Sequence, residues 1–127
     1  MSEEDEMQAA LLDWAGTMLK IGKYPELETL FHVPNEGKRT ASYGHKLKEM
    51  GMKRGVPDLV LPVARGGYGG LYIELKKPDG KVSEFQRQFI RNLRKWGQCA
   101  GVCRSWTDAS QVIEKYLKGE IVNVVGI

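Results

Sequence analysis

Cysteine is scarce in this chain, with two in 127 residues, Cys99 and Cys103. They stand four apart in a segment that reads as a strand, where four residues span ~13 Å against the ~7 Å that a disulfide tolerates between Cα atoms. Neither a CxxC pair nor a pair of neighbouring histidines accompanies them, which excludes a zinc site of the usual spacing. Two reduced thiols in a core are what remains. Histidine is as sparse, His32 and His45 only, and no Gly-x-Ser-x-Gly or HExxH motif gives either one a nucleophile or a metal to serve. No apolar run approaches the ~18 to 20 residues that span a bilayer. Repeats, linkers and low-complexity stretches are also missing. The opening MSEEDEM is acidic where a secretory leader is basic and then apolar. The expectation is a soluble, intracellular chain of one domain, residues 1–127, with a core built from its 42% of apolar residues.

Basic residues are absent from the first 19 positions, which hold Glu3, Glu4, Asp5, Glu6 and Asp13. The remaining 108 residues therefore set nineteen bases against eleven acids, a net +8 hidden inside a formal +3. A basic body on a small domain is the electrostatic footprint of a polyanion binder. Two glycine-bearing stretches do not make nucleotide loops. Gly37-Lys38-Arg39 lacks the upstream glycine and the following hydroxyl, and Gly66-Gly-Tyr-Gly-Gly70 lacks the strand-to-helix setting.

Ser2 with Glu3, Glu4 and Asp5 is a helix start, a side-chain cap with acids on the positive end of the dipole. Met7, Leu11, Trp14 and Met18, with Leu12, Ala15 and Leu19, then recur at helical spacing until Gly22 and Tyr24-Pro25. Thr29–Val33 reads as a short strand, and residues 40–50 as a second helix with Tyr43, Leu47 and Met50 inward and Gly51 at its stop. Asp58–Val63 and Leu71–Lys76 are strands joined by a flexible glycine-rich tip, an antiparallel hairpin. Ser83-Glu-Phe-Gln86 is a capping box that opens a third helix with Phe85, Phe89, Leu93 and Trp96 as its buried stripe. Cys99–Cys103 is a strand, Asp108–Leu117 a helix, and Ile121–Val125 a last short strand. Arg87, Arg91, Arg94 and Lys95 lay a basic stripe on the third helix, which a solvated face also explains. The order αβαββαβαβ predicts one mixed sheet with helices packed on it.

The chemistry is concentrated in Gly55-Val-Pro57-Asp58 and Glu74-Leu75-Lys76. Residues i and i+2 of a strand share a face, so Glu74 and Lys76 point together while Ile73 and Leu75 point to the apolar side. Pairing the two strands brings Asp58 beside Glu74. Two carboxylates and an ammonium in a sheet are costly for stability alone. A hard divalent cation resolves that cost, since Mg²⁺ takes one or two carboxylates with waters and phosphate oxygens. The competing reading makes Asp58 a turn cap and Glu74–Lys76 an edge-strand ion pair. At 100° per residue Glu4 falls in the arc of Met7, Gln8, Leu11, Ala15 and Leu19, and could reach the cluster or merely answer the helix dipole, while Glu6 projects to the wet side. Gln86 either caps its helix or orients a water or phosphate. His32, Asn35, Lys38 and Arg39 around one turn, with Lys53 and Arg54 ahead of Asp58, suit phosphate contacts.

Glu4 with Gln8, HVPNEGKR, KRGVPDLVL, LYIELKKPDGKVSEFQ and a strand ending in CRSW, in that order, resemble the VRR-NUC domain of the PD-(D/E)XK nuclease superfamily. The resemblance runs from about Glu4 to Leu117 and is nearest to stand-alone phage versions. It implies an α/β fold with a restriction-endonuclease-like αβββαβ core, and Mg²⁺-dependent hydrolysis of DNA phosphodiesters with Mn²⁺ able to substitute. It further implies that Asp58, Glu74 and the Leu75 carbonyl hold the metal, that Lys76 serves the attacking water, and that Glu4, with Glu6 as the alternative, and Gln86 complete the site. A homodimer that cuts four-way (Holliday) junctions or other branched DNA follows by the same resemblance, in the cytoplasm, a host's if the chain is phage-encoded. Val122, Val124, Val125 and Ile127 are candidates for its dimer face. Neither an organic cofactor nor a membrane is implied. The other readings are a non-catalytic DNA-binding accessory protein and a nuclease for other DNA ends or RNA.

Overall fold

A computed structural model of the chain describes residues 1–34, 45–46 and 48–120. Helix α1 is Glu3–Lys20, followed by a 3₁₀ turn at Pro25–Thr29; β1 is Phe31–His32, β2 Leu59–Leu61 and β3 Leu71–Leu75. Helix α2 is Glu84–Lys95, β4 is Cys99–Cys103 and α3 is Trp106–Leu117. The α-helices start where their caps dictate. The Ser2 hydroxyl accepts from the Asp5 amide while Asp5 accepts from the Ser2 amide, and Ser83 and Gln86 do the same for α2. Ser105 caps α3 through the Asp108 amide, so this helix begins two residues earlier than the sequence reading placed it. Asn35, Lys38 and Arg39, Tyr43 and Leu47 of the expected second helix, and the expected strand Ile121–Val125 with Ile127 lie outside the described residues.

The sheet runs β1-β2-β3-β4, antiparallel between the first three strands and parallel between β3 and β4. This is the mixed α/β architecture expected. One face carries Leu59, Leu61, Leu71, Ile73, Leu75, Cys99 and Cys103, closed over by Leu11 and Ala15 of α1 and by Ala109, Ile113 and Tyr116 of α3. The other carries Tyr72, Ala100 and Val102 under Val82 and under Ile90 and Leu93 of α2. Alternation along β3 thus gives one face to the main core and leaves Tyr72, Glu74 and Lys76 on the side of α2. Both cysteines are buried and unbonded.

Four details differ from the sequence reading. The buried stripe of α2 is rotated: Ile90 is fully buried with Phe89 and Leu93 beside it, while Phe85 and Trp96 are 56% and 74% exposed. The strand beneath offers only Ala100 and Val102, so the helix sets its aliphatic line there and swings both outer aromatics to the flank. Met50 and Leu19 are both exposed rather than inward. The 3₁₀ turn takes Thr29 and shortens β1 to two residues. Finally, the glycine-rich tip is tied down. Arg65 and Tyr68 bridge to each other, Arg65 pairs with Glu26 and donates to the Leu117 carbonyl, and the Tyr68 ring lies 6.3 Å from that of Tyr116. Among the described residues no helix is long and apolar enough to cross a membrane.

Candidate active site

The antiparallel register pairs Leu59 with Ile73. One step further sets Asp58 opposite Glu74 on the α2 side of the sheet. The Asp58 backbone is fixed by the Val33 amide, which donates to its carbonyl at 2.7 Å, and Pro57 just before it is fully buried. Its side chain is fixed by β3, because the Leu75 amide donates to Asp58 Oδ2 at 2.8 Å. Glu74 is 3% exposed and hydrogen-bonds to Asp58 through its carboxyl. Burial first, then that hydrogen bond and the charge of Asp58, push the Glu74 carboxyl up to about 10, with Glu4 adding to the rise and the Lys76 ammonium opposing it. Burial beside a carboxylate thus favours the protonated form of the Glu74 carboxyl. Among the described residues no buried side-chain nitrogen or oxygen is left without a partner.

Lys76 continues β3 one residue past its end, half-buried, its amide donating to the Cys103 carbonyl at 3.0 Å. The next residue is held from both sides. Glu4 Oε2 accepts from the Lys77 amide at 3.2 Å, and Arg104 Nη1 donates to the carbonyls of Lys77, Pro78 and Gly80 at 2.9, 3.2 and 2.8 Å. The first turn of α1 thus reaches the exit of β3 through Glu4, half-buried, while Glu6 stays exposed. Gln86 uses its Oε1 to accept from the Ser83 amide at 2.8 Å, so the capping role is the one its oxygen fills.

The loop ahead of Asp58 is seated by Gly55. Its φ is +82°, and a Cβ there would overlap the Phe85 carbonyl and the Gln86 amide. Only glycine lets the backbone approach the first turn of α2 this closely. Arg54 then lies with its guanidinium carbon 5.0 Å from the centre of the Phe85 ring. Lys53 and Arg54 are exposed beside the site, and His32 is exposed on β1, an edge strand of the described sheet.

Asp58, Glu74, Lys76 and Glu4 therefore converge at one end of the sheet, with Gln86 engaged by its own helix start. The donor set is all oxygen, which suits a hard cation and excludes a soft one. Among the described residues no three His, Cys, Asp or Glu side chains form a cage, so a cation here would complete its shell with main-chain, water or phosphate oxygen. That is how Mg²⁺ is ordinarily held.

The VRR-NUC domain matches residues 17–106. A solved structure described as a VRR_NUC domain protein is 32% identical and superposes with a TM-score of 0.78, over 96% of this chain and 97% of that one. The chain belongs to the VRR-NUC family. No curated protein matches it. The fold is consistent with the PD-(D/E)XK superfamily, and the family makes this a nuclease-type domain. Glu4 precedes the matched stretch.

Sequence reasoning gave no role to Arg104 or to the seat made by Gly55. Arg104 works on main-chain carbonyls, which leave no trace in residue identity, although an arginine directly after a buried strand was a usable signal. Gly55 contacts a helix thirty residues later, and the glycine between Arg54 and Pro57-Asp58 was the hint.

Proposed function

We propose that the chain is a Mg²⁺- or Mn²⁺-dependent endonuclease that hydrolyses phosphodiester bonds in branched DNA, four-way junctions foremost, acting as a homodimer. The observation that carries this reading is the hydrogen-bonded Asp58–Glu74 pair followed by Lys76 at the exit of β3. A purely structural carboxyl pair at this depth costs stability, and breaking even is the best it does. Asp58, Glu74 and the Leu75 carbonyl would hold the cation. When bound, it supplies Lewis acidity and charge neutralisation at the phosphate under attack.

The protein side of the reaction is positioning and electrostatics. The Leu75 amide keeps Asp58 Oδ2 from rotating away. Lys76, aimed by the clamped turn behind it, orients the attacking water and sets its ammonium against the charge that develops on the phosphate oxygens. Glu4 holds the Lys77 amide and lends negative charge on the Lys76 side of the site. His32, Lys53 and Arg54 flank the centre and suit phosphates on either side of the cut. Two cuts across a junction need two such centres, which a chain of this size gains by pairing with itself.

The test is cleavage of labelled duplex, single strand, flap and immobile four-way junction in Mg²⁺ or Mn²⁺. Paired symmetric cuts in the junction are expected. Binding without cutting of any member in either metal would contradict the reading and favour an accessory role.

A further inference from the structure

Helix α2 has an outer face that neither the core nor the carboxylate site uses. Phe85, Gln88, Asn92 and Trp96 are all exposed, and at 100° per residue they fall within an arc of about 80°. Each aromatic at the ends of this row has a cation over its ring, Arg54 at 5.0 Å from Phe85 and Lys95 at 5.3 Å from Trp96. Between them Gln88 Nε2 donates to Asn92 Oδ1 at 3.1 Å, so the middle of the row is amide rather than apolar. The two rings stand ~16 Å apart along the helix axis at 1.5 Å per residue.

This chemistry selects one kind of occupant. A folded protein partner favours an apolar centre with charge at the rim, whereas here the two aromatics are at the ends, each beside a positive charge, and hydrogen-bonding amides fill the middle. Aromatic faces with adjacent cations are the stacking platforms of single-stranded nucleic acid, since every base has a face to stack and a phosphate nearby. The row is also continuous with the carboxylate centre. Phe85 is the residue on which Gly55 sits, and Asp58 follows Gly55 by three residues, at most ~11 Å of extended chain. The main chain of Phe85 therefore lies within a few nucleotides' length of a strand cut at Asp58–Glu74, at 3.4 Å per base step.

We propose that the outer face of α2 is a platform for an unpaired DNA strand, Phe85 and Trp96 stacking on its bases and Arg54 and Lys95 meeting its phosphates. This deepens the nuclease reading and rests on it for the origin of the strand: the preferred substrate carries, or opens, unpaired nucleotides beside the cut. Because both aromatics are exposed, their replacement leaves the core intact.

The experiment uses the full chain without divalent metal, so that nothing is cut. A single-stranded oligonucleotide and a duplex of the same sequence are titrated while tryptophan emission and anisotropy are followed. The single strand should quench emission, and W96F should remove most of that quench although Trp14 and Trp106 remain. F85A and W96A should each weaken single-strand binding roughly five- to 150-fold and duplex binding much less. Equal binding by both variants, or a quench that persists in W96F, overturns the proposal. So does self-association on sedimentation that W96A abolishes, which would give the face to a second copy. A protein that binds the strand through this face yet cuts no DNA in Mg²⁺ or Mn²⁺ refutes the nuclease reading and leaves the platform standing. One that cuts junctions at the normal rate with both aromatics removed does the reverse.

Discussion

A carboxyl group buried against another carboxylate binds its proton more tightly than the same group in an unfolded chain. For Glu74 the rise is from an ordinary 4.5 to about 10. Between those values the folded state carries a proton that the unfolded state has lost, so the stability of the metal-free protein falls as pH rises across that window. E74Q keeps a neutral partner for Asp58 and should flatten the fall. Urea midpoints at pH 5, 7 and 9 compare the two, and their difference separates Glu74 from Cys103 and Tyr116, whose groups burial pushes up as well. A wild-type midpoint no more pH-dependent than that of E74Q would contradict the buried pair. Gly55 supplies a second residue-scale prediction. G55A forces a Cβ into the α2 backbone at a φ of +82°; the strained backbone alone costs ~1–3 kcal/mol, and urea denaturation should show at least that loss. Asp58, Glu74 and Lys76 were legible as a group because strand alternation and hairpin pairing leave little freedom in where they face. Helical projection put Glu4 on the buried arc and Glu6 on the wet side, and their burial agrees, half-buried against exposed. The fixing contacts, Leu75 to Asp58 and Arg104 to three carbonyls, involve main-chain atoms and were not.

The α-helices begin where hydroxyl caps sit, and the caps at Ser2 and Ser83 were readable in advance. Ser83 and Gln86 satisfy each other's amides at the start of α2. S83A should cost ~1 kcal/mol, a fall in melting temperature of about 3–5 °C. The rotation of α2 was less readable, because aromatics at helical spacing signal a buried stripe, whereas the small residues that seat this helix, Ala100 and Val102, follow it in the chain. A helix seats its face against what the sheet offers, and that information lies elsewhere in the chain. The turn after β3 is the element on which Lys76 depends. R104A removes a charged donor from three carbonyls, an effect of roughly 1.5–3 kcal/mol for charge-assisted hydrogen bonds. Its specific sign is faster amide exchange at Gly80, which donates to the Lys77 carbonyl within that turn. Unchanged exchange there in R104A would mean that the clamp is dispensable.

At the scale of the whole molecule, the acidic first helix and the basic remainder are brought together by the fold. The N-terminus of α1 delivers Glu4 to the exit of β3, while Lys53 and Arg54 ride on the loop seated against α2. The composition predicted a polyanion binder but could not say which face is basic, since that depends on how β1 to β4 are ordered. If Lys53 and Arg54 meet phosphates, replacing both with alanine should weaken DNA binding at 50 mM salt more than at 200 mM. The slope of log K against log salt should also fall by about one for each phosphate left without its cation. Anisotropy titrations across that range measure it. The central claim is that Asp58, Glu74 and Lys76 form a nuclease centre and not a structural pair. Its most direct test is single-turnover cleavage of a four-way junction in Mg²⁺ or Mn²⁺ by D58N and K76A beside the wild-type chain, with junction affinity and melting temperature recorded for each. Cutting by the wild type is expected, with a loss of at least a hundredfold in both variants and near-unchanged affinity and melting temperature. Cutting by either variant at the wild-type rate would contradict the claim.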